Sequence, residues 1–108
     1  MAKVLWTDPA IQDLAGIFDY LAHSTGSAER AETICLDLLE GSIDRLGVLP
    51  RSGALVPELA EWQAREIYRQ SYRIIYVCEG EVCYVRMCIH SSRDLARHID
   101  QTHWRKVP

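Results

Sequence analysis

The apolar pattern of this chain changes period partway along, from a spacing of three and four residues to a spacing of two. That change restricts it to a fold with a helical layer built first and a sheet built afterwards. In the first half Ile11, Leu14, Ala15, Phe18, Leu21 and Ala22 make one helical stripe, with Gln12, Asp13 and Asp19 lying off it. Asp8 as N-cap and Pro9 at the first helical position mark its start. Thr25-Gly26 interrupts the pattern and Ser27 can cap a second helix, whose stripe is Ala31, Ile34, Cys35, Leu38, Leu39 and Leu46, ending near Gly47 and Pro50. Ahead of both, residues 4–6 are a short apolar run suited to a strand.

Residues 51–63 contain Ser52-Gly53 and Pro57 with no sustained period, which predicts a loop. Residues 64–70, 72–78 and 82–90 are rich in Ile, Val and Tyr and read as strands, with Glu79-Gly80 as the hairpin turn between the last two. A short helix is expected over about 92–99. The order is β-α-α-β-β-β with a C-terminal helix, an α+β fold. At 108 residues it is one domain, 1–108, with a tail from about 96 to 108.

Hydrophobic residues at 48% and charged residues at 25% describe a folding globule and not a disordered chain. No apolar run approaches the ~20 residues a bilayer requires and no export signal opens the chain, so a cytoplasmic protein without membrane association is expected. Cys35, Cys78, Cys83 and Cys88 show no C-x-x-C spacing and read as reduced core thiols. Cys78 and Cys83 flank the expected turn, but the compartment disfavours a disulfide. His98 and His103 complete no zinc pattern, and neither a metal nor a cofactor is expected. The net charge of −3 excludes docking on nucleic acid through a global excess of Lys and Arg, so any such role must rest on a local patch.

With Glu79 and Gly80 in the turn, Arg73 falls opposite Arg86, and the period of two sorts the ribbon into two faces. Tyr72, Ile74, Tyr76, Cys78, Cys83, Val85, Met87 and Ile89 make the face expected beneath the helices. Arg73, Ile75, Val77, Val82, Tyr84, Arg86, Cys88 and His90 make a mixed, partly basic one. Two facing arginines call for an anion between them: an internal carboxylate, with Glu66 the candidate, or a phosphate or partner carboxylate from outside.

The segments VLWTDPAIQDLAGIFDYLA, LGVLPRSG, AREIYRQSYRIIYVCEGEV and VRMCIHSSRDL, in this order and spacing from about Val4 to Leu95, resemble the RelE/ParE toxin superfamily, the plasmid stabilisation proteins. The resemblance implies two N-terminal helices on one side of an antiparallel sheet. It also implies a toxin that arrests growth and a short, flexible cognate antitoxin that folds on binding, giving a hetero-oligomer. The basic face and the apolar residues Leu55, Val56, Leu59 and Trp62 are the expected contacts, unless that loop closes over the core.

Two chemistries occur in the superfamily. RelE-like members cut messenger RNA on the ribosome, which needs a base, cations and an acid. Glu66 as base, Arg73 and Arg86 as cations and His90 as proton carrier fill those roles here. ParE-like members block DNA gyrase by binding. The chain has no tyrosine after Tyr84 and only Lys3 and Lys106 as lysines, and His90 with Arg93 and Asp94 suits the ParE-like H-x-x-R-D ending. Gyrase inhibition, without enzymatic activity, is therefore the expected function, with the ribosome-dependent ribonuclease and a non-toxic binding relative as rivals. Residues 94–108 are the most basic stretch, and Trp104 with its neighbours suits a target contact; a frayed tail is the alternative.

Overall fold

The computed structural model describes residues 1–99. Strand β1 (Lys3–Trp6) leads into helices α1 (Asp8–Thr25) and α2 (Ala28–Val48). Then come β2 (Ala54–Leu55), a 3-10 segment (Pro57–Trp62), β3 (Arg65–Arg69), β4 (Tyr72–Glu79), β5 (Val82–His90) and α3 (Leu95–His98). The strands lie in the order β1-β5-β4-β3-β2, with β1 parallel to β5 and every other pairing antiparallel. The anticipated α+β order holds, with β2 as an added edge strand.

The helix signals have clear physical outcomes. Ser27 accepts from the Arg30 backbone N–H at 3.1 Å as N-cap of α2, while Gly26 ends α1 in the left-handed conformation at φ 70°. Thr7, and not Asp8, is the N-cap of α1, because Asp8 is already in its first turn. The stripe of α1 that meets the core is Ala10, Leu14 and Ile17, whereas Ile11 and Ala15 are exposed. Asp13, expected on the solvent side, is half-buried instead. Its carboxylate accepts the Cys88 backbone N–H at 3.0 Å, just past the last pair of β1 with β5, Trp6 with Val85. The helix thus satisfies an edge donor that the parallel strand is too short to reach.

The β4–β5 ribbon departs from its expected register. Glu79 pairs with Val82, so the two turn residues are Gly80 and Glu81. Gly80 sits at φ 60°, the geometry of a turn that needs glycine in its first central position. Arg86 is then an extra residue on β5: Ile75 pairs with Met87 and Tyr76 with Val85. Arg73 consequently lies opposite Ile89 and not Arg86. Beyond the bulge the faces exchange. Cys88 joins the helix-side core of Leu38, Leu46, Ile74, Tyr76 and Val85, and Met87 and Ile89 cross to the other side.

That other side is a second apolar cluster. Ile75, Val77, Met87 and Ile89 are covered by Val56, Leu59 and Ala64 and by Leu95 of α3. The 51–63 stretch therefore closes over the sheet through Val56 and Leu59, with Trp62 half-buried against it, and Leu55 alone among its large apolar residues points out, 58% exposed. The join between α2 and β2 depends on Gly53. Its N–H donates to the Tyr76 hydroxyl at 3.0 Å, and a β-carbon there would stand 2.6 Å from the Glu66 carbonyl oxygen and 2.7 Å from Tyr76 Oη. Gly53→Ala is expected to lower the unfolding free energy by about 1–3 kcal/mol, the usual result of overpacking against backbone. An unchanged urea midpoint would show that the loop moves away at no cost.

Candidate functional site

The residues expected to gather into one site are divided between the two sides of the sheet. On the side away from α1 and α2, β3 and β4 set Glu66 and Arg73 side by side. Arg73 Nε lies 2.6 Å from Glu66 Oε1, and their side chains are 11% and 10% exposed. The internal carboxylate is thus the anion that Arg73 has. Arg86, on the bulge, is 6% exposed; burial works against its charge and Glu79 partly offsets that.

His90 is on the helix side. It pairs with Tyr72, the two rings meeting edge to face with centroids 5.2 Å apart. The expectation that His90 and Cys88 share a face with Arg73 is therefore corrected: the one-residue bulge reverses the alternation before either is reached. His90 Nδ1 accepts the Ser92 backbone N–H at 3.1 Å and lies 2.8 Å from the Ser92 hydroxyl. An Nδ1 that accepts a backbone proton carries none itself in the neutral ring, whose proton is then on Nε2. Arg93 Nη1 donates to His98 Nε2 at 3.0 Å, and His98 Nδ1 donates to the Asp94 carbonyl at 3.0 Å. Asp94 also caps α3 by accepting from the Ala96 N–H. These local bonds hold the chain after β5 in a defined course.

That course forms one wall of a groove of about 760 Å³, with α1 as the other wall. Asp13, Gly16 and Tyr20 line it from the helix, and Tyr72, His90, Arg93 and His98 from the opposite side. Tyr20 is 66% exposed. The groove offers an aromatic surface, a carboxylate and an exposed guanidinium, which suits recognition of a peptide segment more than bond cleavage.

Of the other anticipated positions, Leu55 is on the exposed edge strand β2, Trp62 backs the second cluster, and Trp104 lies outside the described residues. Sequence reasoning missed the participation of Asp13, Tyr72 and Ser92. Ser92, two residues past a histidine at a strand end, carried a usable local signal, because short hydroxyl side chains bond nearby groups at such turns. Asp13 carried none, since its partner is a backbone N–H far along the chain. Among the described residues no group of His, Cys, Asp and Glu is arranged to hold a metal. No helix there is long and apolar enough to cross a membrane.

A family model described as "ParE toxin of type II toxin-antitoxin system, parDE" matches residues 4–95. Among solved structures, the chain is similar to one described as "Chromosomal ParDE TA system from P. aeruginosa", with a TM-score of 0.68 and 22% sequence identity. The match covers 83% of this chain and 96% of that one. The comparison with curated proteins returned no match.

Proposed function

The chain belongs to the ParE toxin family of type II toxin–antitoxin systems, and from that footing we propose that it arrests growth by binding DNA gyrase, cutting no nucleic acid itself, until a cognate antitoxin covers it in a hetero-oligomer in the cytoplasm. The observation that carries this choice is the separation of Glu66 from His90. A base and a proton carrier that serve one scissile bond must both reach it. Here the Glu66 carboxylate, paired through Oε1 with Arg73, lies on the opposite side of the sheet from His90.

Charge supports the same reading. A protein that seeks the ribosome unaided needs a broad basic surface, and this one carries a net charge of −3 with lysines only at positions 3 and 106. Inhibition by binding needs instead a compact set of anchors. We assign these to His90 and Arg93 on the groove rim and to the basic segment 94–108 with Trp104. The exposed Leu55 and the β2 edge, beside Trp62, are assigned to the antitoxin.

The test is induced expression without antitoxin, combined with a supercoiling assay on purified gyrase. Replication is expected to stop with transcripts intact, and the purified protein is expected to inhibit supercoiling. Removing residues 100–108 should weaken that inhibition by about tenfold or more, the effect of losing an aromatic hot spot. Growth arrest with unaffected supercoiling rejects gyrase as the target. Cleaved transcripts would instead favour the ribonuclease, and normal growth a non-toxic relative.

A further inference from the structure

Outside these regions, the turn end of the β4–β5 ribbon holds two thiols that the proposed function does not use. Cys78 and Cys83 are directly paired one position in from the closing pair of the turn, with sulfurs 3.1 Å apart. In a two-residue hairpin this position is a non-hydrogen-bonded pair, whose α-carbons approach to about 4.5 Å. That separation falls within the range a disulfide spans, so side-chain rotation suffices to join the sulfurs.

The two thiols differ in access. Cys83 is fully buried, while Cys78 is half-buried and lines a second groove of about 540 Å³ between the 51–63 stretch and the sheet. Arg51 and Arg65 line the same groove. An anionic reagent in this groove therefore has two arginines beside Cys78, while Cys83 is closed to it.

We infer that Cys78 and Cys83 form a redox-active dithiol, in which Cys78 is the entrance thiol for a small anionic disulfide of the glutathione class and Cys83 is the resolving thiol. The Cys78 thiolate attacks one sulfur of glutathione disulfide, forming a mixed disulfide and expelling glutathione as its thiolate. Cys83 then gives up its proton to that thiolate or to water and attacks the Cys78 sulfur, expelling the second glutathione. Both cysteines are oxidised by two electrons in total, and one glutathione disulfide becomes two glutathiones.

Burial and its neighbour Cys78 push the Cys83 thiol up to about 12, which keeps it unreactive toward outside reagents. Once Cys78 is capped, the contribution of that neighbour disappears, and proximity makes resolution an intramolecular step. Both thiols also approach the Pro50 carbonyl, at 3.4 Å for Cys78 and 3.9 Å for Cys83. Oxidation withdraws both donors from the turn that leads to Gly53.

The whole protein, folded and reduced, is treated with glutathione disulfide and mapped by peptide mass. Wild type should lose two hydrogens at Cys78 and Cys83 and retain no adduct. Cys83→Ala should trap one glutathione on Cys78, and Cys78→Ala should leave Cys83 unmodified over the same time. Arg51→Gln should slow the reaction several-fold with glutathione disulfide but not with neutral hydroxyethyl disulfide. A wild type that keeps both thiols, or that ends with a stable adduct at Cys78, overturns the dithiol. First modification at Cys35 or Cys88 does the same, and equal slowing with the neutral reagent rejects the groove as an anion guide. Matching thermal melts for the variants ensure that reactivity, and not unfolding, is compared. None of this depends on gyrase being the target.

Discussion

Glu66→Ala is expected to lower the unfolding free energy by about 3–5 kcal/mol, because it strands a guanidinium whose side chain is only 11% exposed. The pair spans neighbouring strands at 2.6 Å with both side chains about nine-tenths covered, and the second apolar cluster shares that side of the sheet. Cost on this scale belongs to breaking the pair and not to the pair itself. Glu66→Leu combined with Arg73→Met should therefore recover most of the loss, since two apolar side chains owe nothing for desolvation. The exposed pair Arg97 with Asp94, at 3.7 Å, should behave in the opposite way and contribute little when either partner is removed. Urea unfolding of the single and double variants measures all of these. If Glu66→Ala costs less than about 1 kcal/mol, the Arg73 side chain is already well hydrated. In that case the pair is more hydrated than its geometry indicates.

Excision of Arg86 should leave folding cooperative and both faces of the ribbon unchanged. Arg86 is the one residue of this stretch of β5 without a counterpart on β4, since Tyr76 pairs with Val85 and Ile75 with Met87. Without it Met87 follows Val85 directly, the pairs from Ile75 with Met87 to Tyr72 with His90 become a regular ladder, and residues 87–90 keep their present sides. A reversal of those sides would instead expose Met87 and Ile89 at about 2–5 kcal/mol each, against a total stability on the order of 5–15 kcal/mol for a domain of this kind. A thermal scan by circular dichroism should therefore show a single cooperative transition for the excised protein, as for Arg86→Met, which retains the bulge. Loss of the transition on excision alone would show that the bend at the bulge, and not only the register, is what the two clusters require.

The same bulge separates the two chemistries considered for this fold. Had Arg86 taken an ordinary place in the alternation of β5, His90 would share a side with Arg73, and Glu66 would be the nearby base: the parts of an RNA-cleaving site on one surface. With it, the carboxylate and the histidine are on opposite sides of a layer that neither side chain crosses. The histidine instead becomes part of the wall that α1 and the chain after β5 make together, beside Arg93 and His98. A surface of that kind suits contact with another protein, the mode of action proposed for this chain.

The sequence by itself determined the order of the elements, the helix stop at Gly26, the Ser27 cap and the limits of β5. All of these follow from short-range causes: backbone permissiveness at one glycine, one hydroxyl reaching three residues along, a period of two. The expectation of an anion beside Arg73 rests on a facing Arg86 that the register does not supply, and the structure meets it with Glu66 for another reason, the neighbouring strand. Only the tertiary structure decided where the hairpin turns, which residue bulges, which side receives His90, and that Asp13 serves the edge of β5. A single inserted residue leaves the composition and the local period on either side of it unchanged. Its effect is felt in the packing energy of two clusters on opposite sides of the sheet, and that energy exists only once distant parts of the chain have come together.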